Sequence, residues 1–121
     1  MDFRTLRLPP TPSSPRRFSA EAEDLVAGLL KKQGWAILAR NFRHIGCELD
    51  IVAQKGQTVV AVEVKARHGA VFTEELLPHR KRAALERGLL RFIGTRALDY
   101  QTLRLDLAIV RPQGVEYIVN V

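Results

Sequence analysis

From Ser19 onward the apolar residues fall into segments of helical and strand period, separated by breaks that contain Gly or Pro. In "SAEAEDLVAGLLKKQGW", Leu25, Val26, Leu29 and Leu30 recur on one helical stripe. Ser19 offers a capping hydroxyl, acids follow in the first turn, lysines come late, and Gly34 stops the run, so a helix is predicted over 20–33. "WAILAR", 35–40, reads as a short strand, and "NFRHIG" as a turn or loop. "CELDIVAQKGQTVVAVEVKA", 47–66, alternates with period two on both sides of Lys55–Gly56 and predicts a hairpin. A loop runs from Arg67 to Leu77, and Pro78 suits the first turn of a second helix reaching Gly94, with Leu85, Leu89, Phe92 and Ile93 as its buried stripe. "LRLDLAIV", 103–110, is a strand, "RPQG" a turn and "VEYIVNV" a last strand. No internal repeat interrupts this order of α-β-β-β-α-β-β, an α/β domain over 19–121.

Residues 1–18 differ. They hold four of the six prolines together with Ser13, Ser14, Arg16 and Arg17, a mixture that cannot bury a face and reads as a flexible basic arm. The 121 residues suffice for one core. No apolar run approaches the roughly 18 residues that would cross a bilayer, and "MDFRTLRLPPTPSSPRR" has no apolar core of a secretory signal. The single cysteine, Cys47, excludes an intrachain disulfide and a CxxC metal site. A cytoplasmic protein without a membrane partner is the expectation. Nineteen Lys and Arg against thirteen Asp and Glu give a formal charge of +6, mostly from arginine, which favours bidentate phosphate contacts. Nucleic acid, an anionic membrane surface or a ribosomal neighbour are each compatible with that balance.

The hairpin carries the chemistry. Glu48, Asp50, Glu63 and Lys65 sit inside its apolar pattern. With a two-residue turn at Lys55–Gly56, Gln54 pairs with Gln57, Asp50 lies opposite Ala61, and Glu63 is diagonal to Asp50 and directly opposite Glu48. All four charges then share one face, with opposed Cβ atoms about 5 Å apart. Like charges so close repel. Three arrangements relieve this: protonated carboxyls, ordinary cross-strand ion pairs on a solvent face, or a hard divalent cation held by the carboxylates.

The residues also carry a resemblance. "AEDLVAGLLKKQGW", "ARNF", "CELDIVA", "VEVKAR", "HRKRAAL" and "RLDLAIV" occur in the order found in the YraN-like family of uncharacterised bacterial proteins. That family is similar in sequence to archaeal Holliday-junction resolvases. Asp50, thirteen positions before Glu63-Val64-Lys65 and after a first helix, resembles the PD-(D/E)xK nuclease motif. The likeness covers about 22–110; Ala22, Cys47 and Leu105 depart from the family's Gly, Gly and Phe, and no acid or lysine of the motif is missing.

The resemblance implies a restriction-endonuclease-like αβββαβ core with a central mixed sheet flanked by helices. It implies a metal-dependent endonuclease acting on DNA, with branched DNA as a candidate substrate and a homodimer as a candidate assembly. Asp50 and Glu63 would hold Mg²⁺ or Mn²⁺, with Glu48 as a further ligand or a partner of Arg67. Lys65 would orient the attacking water, and Glu23 would complete the site from the first helix. The alternative role of Glu23 is a first-turn acid on the helix dipole. Arg80, Lys81 and Arg82 open the second helix as phosphate-positioning groups, with Arg67 and Arg43 as weaker candidates, or else they form a solvated basic face. Asp106 reads as a structural ion-pair partner of Arg104 or Arg82, Cys47 as a small buried side chain, His44, His68 and His79 as loop or cap residues, and Trp35 and Phe42 as core. The competing functions are a non-catalytic nucleic-acid-binding module on the same fold and a ribosome-associated interaction protein.

Overall fold

A computed structural model describes residues 4–6 and 15–121, with side chains from Phe18 onward. Six strands, β1 (Arg4–Leu6), β2 (Ala36–His44), β3 (Cys47–Lys55), β4 (Thr58–Ala66), β5 (Thr102–Arg111) and β6 (Gly114–Ile118), form one sheet in the order β1-β6-β5-β4-β3-β2. Helices α1 (Pro15–Lys32), α2 (Thr73–Leu76) and α3 (His79–Arg96) complete the chain. Only β4 and β5 pair in parallel; the other neighbours are antiparallel. The sheet is therefore mixed, and α1-β2-β3-β4-α3-β5 is the αβββαβ order.

The layers follow from β4. Val60 and Val62 meet Phe18, Ala22, Val26 and Leu30 of α1, while Val59 and Ala61 meet Leu85, Leu89, Phe92 and Ile93 of α3. A strand covered on both faces must be apolar on both, and each fully buried Val, Leu or Phe contributes about 1.5–3 kcal/mol. The predicted α3 stripe is buried in full. Gly88 lets the helix approach so closely that an added methyl would collide with the Cys47 sulfur.

Four boundaries differ from the sequence reading. Helix α1 begins at Pro15, not near residue 20, because proline fits a first helical turn and Phe18 has a core to enter. Ser19 is thus inside the helix and caps nothing, and no acid lies in the first turn. Two parts of the segment 1–18 join the fold: β1 pairs with β6, and Pro15–Phe18 opens α1; the remainder of that arm lies outside the described residues. Strand β2 continues through Phe42, Arg43 and His44, leaving only Ile45–Gly46 as the turn. A short helix, α2, occupies part of the predicted loop. The helix stop at Gly34 holds: Gly34 has φ +92°, its N–H donates to Lys31 O and the Trp35 N–H to Leu30 O, a Schellman closure.

The hairpin register is also shifted. Lys55 pairs with Thr58, and Gly56–Gln57 forms the turn with φ +59° at Gly56. This is the primed-turn pattern that matches strand twist, and glycine takes its positive φ without a Cβ clash. A shift of two residues keeps every side chain on its predicted face, but the ladder, which ends at Ile51↔Val62, now points Asp50 at Glu63. Glu48 is no longer opposite Glu63.

Candidate functional site

Glu63 and Lys65 follow Val59 and Ala61 on the α3 side of β4, just beyond the hydrophobic layer. Asp50 reaches the same side by alternation, two residues before Val52, which packs under α3. Leu49 and Val52, three residues apart, both pack under α3, so strict alternation fails between them. Beside that break, between the pairs Arg40↔Ile51 and Phe42↔Leu49, Asn41 takes φ +53°, a left-handed conformation that asparagine tolerates. Asp50 faces β4, where its Oδ2 accepts the Val64 N–H at 2.8 Å.

The result is an open cavity of about 370 Å³ whose walls include Glu23, Glu48, Asp50, Glu63, Lys65 and Lys81. Glu63 is 5% exposed. Its Oε2 lies 2.7 Å from Lys81 Nζ and 3.4 Å from Lys65 Nζ. Burial and the adjoining, hydrogen-bonded Glu63 push the Asp50 carboxyl up to about 8, against the pull of the Val64 N–H. Burial opposes charge on Glu63 too, yet hydrogen bonds from Asp50 and Lys81 and the nearby Lys65 hold it below the usual carboxylate range. The pair thus shares one proton, carried by Asp50. The lysines divide in the same way. Burial and the neighbouring Lys81 lower Lys65, whereas Lys81, although burial works against it, is raised by its hydrogen bond to Glu63.

Glu23 projects from the third turn of α1 into this cavity, which removes its helix-dipole role. Burial raises its carboxyl, Arg40 at 3.9 Å opposes that, and Glu48, Asp24 and Glu63 add to it. Glu48 lines the cavity but is half-exposed and faces Arg43 at 3.6 Å, so that ion pair occupies both residues. Arg67 lines the cavity and donates to the Ala66 carbonyl. Arg80 is exposed at the start of α3, and Arg82 turns away to Glu86 and a different hollow beside Arg104 and Asn120. Of the three basic residues that open α3, Lys81 alone enters the acid cavity. The signal for that was present, because Lys81, Leu85 and Leu89 recur every four residues on the buried stripe.

Among the described residues no group of three or more His, Cys, Asp or Glu side chains is gathered for an ion. Two carboxylates are gathered, Asp50 and Glu63, with both lysines on the Glu63 side of the pair. That donor set fits a hard divalent cation of the kind that takes one or two carboxylates and completes its shell with water and phosphate oxygens. Cys47 stands in the cavity wall with its thiol raised by burial and by Glu63, the opposite of an activated nucleophile. His68 packs its ring on Phe18, Phe42 on Phe92, and Trp35 lies in the core. Among the described residues no helix is long and apolar enough to cross a membrane.

Curated relatives share most of the chain. A protein of Nitratidesulfovibrio vulgaris is 40% identical over 94 residues, covering 76% of this chain and 70% of its own. One from Moorella thermoacetica is 36% identical over 111 residues, covering 85% and 92%, and one from Thermotoga neapolitana is 35% identical over 96 residues, covering 79% and 89%. Each carries the description "UPF0102 protein". The family model matches residues 22–110, the span that contains Glu23, the acid pair and both lysines, and the chain belongs to the uncharacterised protein family UPF0102, the YraN family.

Proposed function

We propose that the protein is a divalent-cation-dependent endonuclease that hydrolyses phosphodiester bonds in DNA, with branched or structured DNA as its substrate. The observation that carries this reading is the convergence of Asp50, Glu63 and Lys65, from adjacent strands, on one open cavity with Glu23 and Lys81. Mg²⁺ or Mn²⁺ held by Asp50 and Glu63 would polarise a phosphate oxygen and lower the pKa of a bound water. The protein's own groups do the rest. Lys65, the more readily deprotonated lysine, accepts a hydrogen bond from the attacking water when neutral and stabilises charge on the phosphorane when protonated. Lys81 stays cationic and fixes the Glu63 carboxylate. Glu23 holds outer waters from α1, and Arg67 meets the backbone at the cavity's edge.

The alternative, a module that only binds DNA, fits less well. Acids at the floor of a cavity repel phosphate unless a cation lies between them, and an affinity site has no use for them. Purified protein with Mn²⁺ or Mg²⁺ should nick branched or single-stranded DNA. Asp50→Ala, Glu63→Ala and Lys65→Ala should each lower the rate by about 10²-fold or more while thermal melts stay cooperative. Equal activity in all three variants would assign the cleavage to a contaminant. A calorimetric titration without a Mn²⁺ site at millimolar concentration would hand the cavity to the binding module.

A further inference from the structure

The acid cavity does not end at Cys47. Gly46, Cys47 and Ala84 are shared with a second hollow of about 350 Å³, formed where the β2–β3 turn faces the outer side of α3. Its other walls are His44, Ile45, Arg87, Gly88 and Arg91. The two compartments differ in charge. Four acids line the first and none lines the second. Arg87 and Arg91 are both exposed, stand one helical turn apart, and make no ion pair among the described residues. Like charges four apart on a helix repel, and no carboxylate among the described residues pairs with either. By contrast Arg40, Arg43, Arg82, Arg104 and Arg111 each face a carboxylate.

The turn adds an apolar group. Ile45 is 94% exposed, a β-branched side chain at a tight turn where a polar residue or glycine would serve as well, with Gly46 taking the positive φ of +73°. It stands at the mouth of the arginine-lined hollow.

The geometry points to a groove for the nucleic-acid strand that continues from the acid pair: Arg87 and Arg91 hold the flanking phosphodiesters, and Ile45 packs against an unstacked base. This rests on the reading of the acid cavity as a nucleic-acid site, though not on whether cleavage occurs there. Guanidinium groups supply affinity by displacing counterions, and an apolar wedge beside a phosphate track favours strands whose bases are already unpaired. The groove therefore selects single-stranded or branched DNA over regular duplex.

The test is binding in EDTA, where no cleavage takes place. Fluorescence anisotropy with a labelled single-stranded oligonucleotide and with a four-way junction is measured across a salt titration. Arg87→Ala/Arg91→Ala should weaken binding about tenfold at low salt and reduce the slope of log K against log salt by about 1.4 on the single strand. Lys31→Ala/Lys32→Ala, which removes the same charge at the end of α1, should leave the slope unchanged. Ile45→Ser should weaken binding several-fold with no change of slope, because an apolar contact releases no counterion. Equal losses in the arginine and lysine variants would reduce the effect to net charge and overturn the groove, as would absence of binding by the native chain or preference for regular duplex. Native binding with the predicted losses but no cleavage in Mn²⁺ would leave the groove standing and remove the nuclease.

Discussion

Two buried acid sites lie on neighbouring central strands, and they are solved in opposite ways. Asp106 on β5 has a fully buried side chain, and both its oxygens are satisfied. Arg104 donates to it through Nε at 3.1 Å and Nη2 at 2.9 Å, the Tyr117 hydroxyl at 2.6 Å and the Asn120 N–H at 2.9 Å. Asp50 and Glu63 face each other with one backbone donor and two lysines between them. Asp106 belongs to the structure, since four donors saturate a carboxylate and leave it nothing to bind. The Asp50–Glu63 pair retains unspent acceptor capacity, and it opens to solvent through a cavity. Burial of an acid alone does not distinguish a site from a scaffold; the count of donors does.

The strongest challenge to this contrast is Asp106→Ala. It strands the buried Arg104 guanidinium and should cost about 3–5 kcal/mol in urea denaturation, while Asp50→Asn should cost nothing. A stable Asp106→Ala protein would erase the distinction. Next in size is Gly88→Ala, which drives a methyl into Cys47 behind the acid cavity and should cost about 1–3 kcal/mol, recovered in part by adding Cys47→Ala. No recovery in the double variant would show that the two residues do not share the strain.

A third test is a pH dependence. The Asp50 carboxyl is raised to about 8 in the fold, so between the ordinary carboxylate range and pH 8 the native state holds a proton that the unfolded chain has released. Stability from this group is complete at low pH and is lost as pH rises through that window. Glu63 has the opposite shift, and its contribution is lost only as pH falls below the carboxylate range. Glu23 is raised like Asp50, and Lys65 and Lys81 face the pair, but all three are common to both proteins in the comparison. Melting temperatures of the metal-free protein should therefore decline toward pH 8, and Asp50→Asn should flatten the decline. Identical slopes would mean that the proton is not on Asp50.

Legibility in the sequence tracked the kind of determinant. The α3 stripe and the alternation of β4 are periodic, and burial enforces the period, so both are visible in the residues. The faces of Glu63 and Lys65 follow from that alternation and survive a two-residue error in register. Asp50 follows the alternation of Val52 in the same way, whereas the break that brings Leu49 under α3 as well and the left-handed φ of Asn41 leave no mark in the hydrophobic pattern. The start of α1 was obscured because a proline-rich composition outweighed Phe18, one residue with a core to enter. Lys81 was grouped with Arg80 and Arg82 as a phosphate-positioning residue, although its place on the apolar stripe sets it apart from them and brings it to Glu63. Arg82, one residue on, rotates by about 100° and faces a different hollow.

The parallel pairing of β4 with β5 carries a consequence for the order of assembly. Thr58 meets Thr102 only after the whole of α3 lies between them, whereas β3 and β4 are joined by two residues. The hairpin can form within microseconds, and the distant pairing must wait for a long chain closure.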